Sequence, residues 1–325
     1  MGSEKTGVLL MAYGTPDSLD DVEPYYTHIR HGRIPSPDQI EELRSRYALV
    51  GGRTPLSRIS EATRAGLEAR LNEPGEGYSV VLGMKHWRPW IRDAVQALAE
   101  QGIDNAVGLV LAPHYSSMSI ADYYRYVAEA QANVGSNIRI DRIDSWHLHP
   151  PYLQSVAGRI RRRLLEFPSG QRVVVVFTAH SLPARILEHA DRYPDQLRES
   201  SQAIAALLDL SEWTFSYQSA GRTAEQWLGP DLFATIGKLA DQGAKNILVA
   251  PIGFVSDHLE ILYDIDYEAR RAAEDLGLVL KRTESLNASP DFVEGLAELV
   301  LSRASAPDSA PRHGGWSENV TGAQR

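Results

Sequence analysis

Three carboxylates recur at four-residue intervals in one short stretch of the chain, at Glu260, Asp264 and Glu268. The stretch follows an apolar run and a proline- and glycine-containing turn, so it is predicted to form a helix. On an α-helix, residues four apart share one face, where like charges repel by about 0.2–0.5 kcal/mol per pair. No lysine or arginine lies between Asp257 and Glu268 to offset them. The pattern indicates either a solvated acidic face or a binding site for a cation.

A histidine is available as the partner of these carboxylates. His180 ends the apolar run Val-Val-Val-Val-Phe-Thr-Ala, a position that is more often structural than catalytic. Beside Glu260, a neutral imidazole would be both a metal ligand and a proton acceptor near pH 7. His with Glu suits Fe²⁺ or Zn²⁺, whereas the oxygen ligands of Asp264 and Glu268 suit a hydrated Mg²⁺-type ion or a relay.

A second set of candidates lies in the first sixty residues. Tyr13 follows an apolar run and is either a core aromatic or an oxygen ligand, as tyrosine is for some haem irons. Arginines interleave with tyrosines in the segment that follows, which is either an exposed basic patch or a site for a planar ligand with several carboxylates. These residues are Arg30, Arg33, Arg44, Arg46 and Arg53 with Tyr25, Tyr26 and Tyr47.

The elements that must position these side chains are short apolar strands alternating with longer helical patterns. Such alternation is typical of βαβ units and a parallel sheet, so the predicted class is α/β. The strand candidates are 8–12, 79–82, 107–111, 139–143, 173–178, 214–217, 247–250 and 279–281.

The two halves of the chain resemble each other. Ala99-Glu-Gln-Gly-Ile-Asp-Asn105 and Ala240-Asp-Gln-Gly-Ala-Lys-Asn246 each lead into a strand that is followed by Ala-Pro. We therefore predict two Rossmann-like lobes, 1–146 and 147–285, each with a parallel four-stranded sheet flanked by helices. Ligands bind at the carboxyl ends of such strands, which here would line an interdomain cleft. The predicted lining is Tyr13, His86, His114, His180 and 257–260.

Composition excludes several classes of function. The formal charge of −9 argues against a nucleic-acid partner, and the absence of cysteine excludes disulfides and cysteine-ligated iron–sulfur clusters. No G-x-G-x-x-G or Walker pattern follows a strand, so no nucleotide cofactor is expected. We expect a cytoplasmic protein without an integral membrane segment, because no apolar run is long enough to span a bilayer. Residues 304–325 are predicted to be a disordered tail.

Taken in order, the motifs of the chain resemble those of the ferrochelatases. The matching segments are Leu10-Met-Ala-Tyr-Gly-Thr-Pro16, Tyr47-Ala-Leu-Val-Gly-Gly-Arg-Thr-Pro-Leu56, Gly83-Met-Lys-His86, Ala112-Pro-His-Tyr-Ser116, Thr178-Ala-His-Ser-Leu-Pro183, Trp227-Leu-Gly-Pro230 and the run from Gly253 to Glu268. Tyrosine in the first motif looks like the coproporphyrin III ferrochelatases of monoderm bacteria.

This resemblance implies insertion of Fe²⁺, as substrate, into coproporphyrin III in haem biosynthesis. It implies that His180 and Glu260 bind metal and accept protons, that Asp264 and Glu268 form an outer site where Mg²⁺ binds, and that residues 286–303 return to complete the first lobe. The product would pass transiently to the next haem-pathway enzyme. The residues implied around the porphyrin are Tyr13, Arg30, Arg46, Tyr47, Thr54, Tyr123 and His86.

Other functions remain open from the sequence. A protoporphyrin IX ferrochelatase would share most of these motifs. A sirohydrochlorin or cobalt chelatase would share the fold, although those enzymes usually carry paired metal-binding histidines. A non-catalytic haem or porphyrin carrier would bind through Tyr13 without inserting metal. The direction from which metal enters, the roles of His86 and His31, and the oligomeric state do not follow from the sequence.

Overall fold

The computed structural model describes residues 5–73, 75, 77–221 and 223–305. In this part of the chain, eight strands form two parallel four-stranded sheets. The strands are β1 (Thr6–Ala12), β2 (Tyr78–Met84), β3 (Asn105–Val110), β4 (Arg139–Ile143), β5 (Val173–His180), β6 (Trp213–Gln218), β7 (Asn246–Ala250) and β8 (Val279–Arg282).

The two sheets have the same strand order. The first runs β2-β1-β3-β4 and the second β6-β5-β7-β8, with every neighbouring pair parallel. We call the halves built on these sheets lobe I and lobe II. The predicted α/β class with two Rossmann-like four-stranded lobes is confirmed, and so is the duplication that the repeated turn sequences indicated.

Helices cover the sheets and account for the apolar strands. Val8, Leu9, Leu10 and Met11 of β1 are fully buried, as expected for a strand with helices on both faces. The helices are α1 (Val22–Ile29), α2 (Pro37–Leu49), α3 (Leu56–Asn72), α4 (Ile91–Glu100), α5 (Ile120–Val134), α6 (Pro150–Leu164), α7 (Tyr193–Leu208), α8 (Leu232–Asp241), α9 (Leu259–Leu262), α10 (Arg270–Asp275) and α11 (Pro290–Ala304), with 3₁₀ turns at Leu19–Asp21 and Ala184–His189.

The last helix, α11, packs against both lobes. On lobe I, the Arg70 guanidinium of α3 donates to Glu294 at 2.7 Å. On α6, the buried Arg159 pairs with Asp291 at 2.8 Å and donates to Ser289 Oγ at 2.6 Å. Because a buried arginine without its partner carboxylate is strongly destabilising, these contacts fix the helix firmly. The tail predicted from residue 304 lies, from residue 306 onward, outside the described residues.

The acidic stretch is not the regular α-helix expected from its four-residue spacing. α9 has a single turn, and Asp264–Ala269 forms a π-helical turn before α10 begins. The amide of Glu268 bonds to the carbonyl of Tyr263, five residues back, at 2.9 Å. Arg282, at the end of β8, holds this turn through both oxygens of Asp266, at 2.9 and 2.8 Å. Single π-helical turns of this kind are frequent at functional sites.

In the described part of the chain, no helix is both long enough and apolar enough to cross a membrane.

Candidate active site

The carboxyl ends of the two sheets bring the predicted chemical groups into one cleft. Tyr13 directly follows β1 in lobe I, and His180 is the last residue of β5 in lobe II. Glu260 lies in α9, just after the loop that follows β7. Its negative charge raises the pKa of Tyr13 in addition to the larger effect of burial, so the Glu260 carboxylate lies near the Tyr13 phenol.

His180 and Glu260 form a close pair. His180 Nε2 lies 3.3 Å from Glu260 Oε1, and the two side chains are 31% and 33% exposed. Burial would lower the pKa of His180, but the charge and hydrogen bond of Glu260 raise it to about 9. Burial opposes the charge of Glu260 as well, yet the two neighbouring histidines hold its pKa well below the usual range. At neutral pH the pair therefore holds one proton, on the imidazole.

The second of those histidines is His258, which lies within the predicted lining 257–260 but was not among the residues predicted to bind metal or accept protons. Its Nε2 lies 3.6 Å from the other oxygen of Glu260, while its Nδ1 lies 2.8 Å from the carbonyl of Ser256. Glu260 is thus held between two imidazoles, one from each side. The signal in the sequence was its spacing, because His258 stands only two residues before Glu260.

Local sequence explains how these groups come so close. A side chain at Gly253 would put its Cβ 2.5 Å from Ala179 Cβ, so only glycine lets the loop after β7 approach the end of β5. The His180 Nδ1–H donates to the carbonyl of Ser181, which directs Nε2 toward Glu260. The Gln218 amide then donates to the Glu260 carbonyl at 2.9 Å and fixes the start of α9.

Asp264 follows Glu260 by four residues and is the less exposed of the two. It is buried and accepts a hydrogen bond from Ser219, whose backbone is in the left-handed region with a φ of 59°. Burial and then the charge of Glu260 raise the pKa of Asp264 to about 7. A non-glycine residue with this backbone conformation costs about 1–3 kcal/mol, and such strain clusters at functional sites.

The positive charge that the local sequence lacked comes from lobe I. The guanidinium of Arg46 lies 5.1 Å above the ring of Tyr263, and Asp264 and Glu268 are close enough to help raise its pKa. Arg46 also donates to Glu42 at 2.7 Å. A cation from lobe I therefore lies close to the acidic stretch.

The wall opposite His180 is built around Tyr13, which is 43% exposed. Gly14 has a φ of +98°, and a Cβ there would meet the amide nitrogen of Trp87 at 2.8 Å, so this position requires glycine. The carbonyl of Tyr13 accepts the amide of His86 at 2.8 Å, and the two rings lie 4.6 Å apart.

His86 and His114 do not line the cleft as predicted. His86 is only 3% exposed; its Nδ1 lies 3.0 Å from Nδ1 of His28, and burial lowers its pKa to about 2. His114 is buried against Ser200 of lobe II, with its Nε2 3.0 Å from the hydroxyl oxygen. The physical reason is that each ring has a polar partner away from the cleft, His28 for His86 and Ser200 for His114. His86 supports Tyr13 from behind, and His114 joins the lobes.

The side chains of Tyr47, Thr54 and Tyr123 are also buried. Thr15 links two of them, with its hydroxyl 3.2 Å from the Tyr47 hydroxyl and 2.9 Å from that of Thr54. Tyr123 packs beneath Lys85, whose ammonium lies 5.2 Å from the ring centre. These residues form the layer behind the cleft surface, and their contact with a ligand remains a prediction.

The arginines of the predicted patch make separate contacts. Arg30 donates to Gln39 at 3.2 Å and lies over the ring of Tyr26, whereas Arg44 pairs with Glu41 at 3.3 Å. Arg33 and Arg53 are exposed. Within the described residues, no group of three or more His, Asp or Glu side chains has a geometry that would ligate one metal ion.

Comparison with known proteins assigns the family. A family model described as Ferrochelatase matches residues 5–304. The chain belongs to the ferrochelatase family. A ferrochelatase of Herpetosiphon aurantiacus is 47% identical over 92% of this chain and 99% of its own length. A coproporphyrin III ferrochelatase of Geobacillus kaustophilus is 42% identical over 93% of this chain and 97% of its own.

Solved structures agree on the fold. SirB from Bacillus subtilis with Fe³⁺ superimposes with a TM-score of 0.57 at 14% identity, covering 93% of this chain and 96% of that one. As a member of the ferrochelatase family, the chain is an enzyme, a metal-chelating lyase, and Fe²⁺ is its substrate metal.

Proposed function

We propose that the protein inserts Fe²⁺ into coproporphyrin III to give its iron complex, coproheme. The observation that carries the proposal is the proximity of the His180–Glu260 pair of lobe II to Tyr13 of lobe I, whose side chain is partly exposed. We propose that these groups form opposite walls of the cleft. One wall holds groups that accept protons, and the other offers an oxygen ligand for the iron of the product. Relatives named coproporphyrin III ferrochelatases support this substrate, although the Herpetosiphon relative is named only ferrochelatase.

The proton transfers follow from the charge state of the pair. Metal insertion releases two pyrrole protons, but at neutral pH His180 already holds one. A cation arriving beside Glu260 repels that proton, which leaves to solvent, and frees the imidazole. His180 and Glu260 can then each accept one of the two pyrrole protons. Enclosure of the porphyrin between the walls would bend the ring and expose the nitrogen lone pairs, using binding energy from its carboxylates.

Arg30 and Arg46 are proposed to bind the propionates. Arg30 directly follows α1 and Arg46 lies in the last turn of α2, and each guanidinium can bind a carboxylate with two hydrogen bonds. Arg46 would exchange its present contact with Glu42 for the substrate. Four further residues have buried side chains and would contribute to porphyrin binding through backbone groups or by supporting the wall of the cleft. These are Tyr47, Thr54, Tyr123 and His86.

The proposed substrate is tested by competition. With limiting Fe²⁺ and equal concentrations of coproporphyrin III and protoporphyrin IX, we expect at least about tenfold more coproheme, the effect of one additional charged hydrogen-bonded contact. Arg30→Ala should reduce this ratio. Arg33→Ala is the matched control, because within the described residues the Arg33 side chain bonds only to the Arg30 carbonyl. Chromatographic separation of the two products gives the ratio, and a ratio at or below one would point to a protoporphyrin enzyme.

Asp264 and Glu268 are proposed to form an outer site for a hydrated Mg²⁺. Asp264 must lose its proton to bind a cation, and its pKa is about 7. We therefore expect the affinity for Mg²⁺ to fall about tenfold per pH unit as the pH drops below 7, and to level off above it. Titration calorimetry at pH 6, 7 and 8 measures this. Asp264→Asn should bind weakly at every pH, and equal affinity of the unaltered protein at pH 6 and 8 would contradict the site.

Two further proposals concern the transfer of the product and the location of the protein in the cell. The product is proposed to pass transiently to the next enzyme of haem synthesis, and the protein is proposed to work in the cytoplasm. Ile34 and Leu49 are exposed apolar side chains on the same segment as the propionate-binding arginines, which is where a partner receiving the porphyrin would dock.

A further inference from the structure

A seam of hydrogen bonds joins the two lobes. Residues 114–117 of lobe I, just after β3, meet α7 and the turn before it in lobe II. His114 Nε2 lies 3.0 Å from Ser200 Oγ, and the Tyr115 amide donates to Gln196 Oε1 at 2.7 Å. Because β3 is hydrogen-bonded to β1, the seam begins beside the strand that leads into the cleft.

Asp191 is the centre of this seam. Its Oδ2 accepts hydrogen bonds from the Ser116 hydroxyl at 2.9 Å and from both the amide and the hydroxyl of Ser117 at 2.7 Å. Its Oδ1 accepts the amide of Tyr193 at 2.9 Å, which fixes the first residue of α7. Asp191 is buried, so one carboxylate of lobe II gathers three donors from lobe I out of contact with water.

Tyr193 continues the connection to the catalytic strand. Its hydroxyl donates to the backbone carbonyl of His180 at 2.9 Å. Burial raises the pKa of Tyr193, and the charges of Glu260 and Asp191 add to the effect, so the phenol remains a donor at neutral pH. Hydrogen bonds thus connect lobe I to the catalytic strand in sequence, from the two serines to Asp191, from Asp191 to Tyr193 and from Tyr193 to His180.

This chain fixes the spacing of the two cleft walls. Tyr13 belongs to lobe I and His180 to lobe II, so their separation depends on how the lobes are joined. We propose that Asp191 and Tyr193 are positioning residues that hold His180 at a fixed distance from the lobe I wall, so that a flat porphyrin is bent when it binds. The inference rests on the proposed function, because the spacing matters only for a ring gripped on both faces.

The test removes individual hydrogen bonds without creating a large cavity in the core. Tyr193→Phe deletes only the hydroxyl that holds His180, and the double variant Ser116→Ala/Ser117→Ala deletes two of the donors to Asp191. Ser201→Ala is the matched control, since within the described residues the hydroxyl of this buried serine of α7 bonds only to the carbonyl of Leu197 in its own helix. Each protein is assayed for kcat and KM with Fe²⁺ and coproporphyrin III, for its melting temperature, and by resonance Raman spectroscopy of bound metal-free coproporphyrin III.

We expect Tyr193→Phe and the double variant to lower kcat by about 10- to 100-fold with KM changed less than about threefold, as for a misplacement of about 1 Å. The out-of-plane Raman bands should weaken in both and stay unchanged in Ser201→Ala. The inference is wrong if either variant keeps kcat within about twofold of the unaltered protein. It is also wrong if kcat falls while the Raman bands stay unchanged and the melting temperature is lowered only as much as in the control. If the unaltered protein inserts no iron, the proposed function fails, and the Raman comparison still tests the seam.

Discussion

Replacing His180 by alanine should lower the rate of iron insertion by about 10³-fold, within the range by which positioned acid–base groups act. In the proposed mechanism His180 is the group whose proton the arriving metal displaces, and its Nε2 is 3.3 Å from Glu260. Coproporphyrin III should still bind with a Kd within about threefold of the original, because the proposed propionate contacts lie on the other lobe. Anaerobic initial rates and fluorescence titration of the porphyrin provide the two measurements.

His149→Ala is the matched control for this variant. His149 is also partly buried, and its Nε2 lies 3.0 Å from the carbonyl of Gly295 at the contact of α6 with α11, away from the cleft. It should lose stability without a comparable loss of rate. If His180→Ala kept a rate within tenfold of the unaltered protein, His180 would not be the proton-accepting residue.

Replacing Glu260 by glutamine should lower iron insertion by about 10²- to 10³-fold and also change its pH dependence. In the unaltered protein the charge of Glu260 raises the pKa of His180 to about 9, so the free imidazole becomes more abundant as the pH rises toward 9. Without that charge, burial lowers the pKa of His180 below its ordinary value of about 6.5. The rise in rate between pH 7 and 9 should therefore disappear.

The pH–rate profile and the imidazole signals of His180 in the NMR spectrum report this change. Glu294→Gln is the control, because within the described residues Glu294 of α11 forms an ion pair only with Arg70 of α3. A Glu260→Gln variant that kept the rise in rate between pH 7 and 9 would show that another group sets it.

Most of the fold was predictable because it depends on local patterns. Apolar runs of four to eight residues, the turns that separate them and the duplicated Gln-Gly sequences are enough to indicate two parallel sheets. Tyr13 and His180 were singled out for a related reason, because each stands at the carboxyl end of a buried strand, where parallel strands end together. Glu260 was singled out by its four-residue spacing from Asp264.

The details that the sequence did not reveal depend on contacts between distant segments. The π-helical turn is held by Arg282, sixteen residues beyond Asp266, and no four-residue spacing signals that clamp. The counter-charge of Arg46 arrives from the other lobe. His86 is drawn behind the wall by His28 of α1, and His114 is drawn into the seam by Ser200, so neither reaches the ligand-facing surface.

The most direct test of the central claim is anaerobic incubation of a catalytic amount of the protein with excess Fe²⁺ and coproporphyrin III, followed by visible spectroscopy. We predict that the free-base bands disappear over many turnovers and are replaced by those of coproheme, whereas protoporphyrin IX reacts at least about tenfold more slowly, the loss expected for missing propionate contacts. Disappearance of the bands only up to one equivalent of protein, or no disappearance with either porphyrin, would contradict a chelatase and indicate a porphyrin carrier.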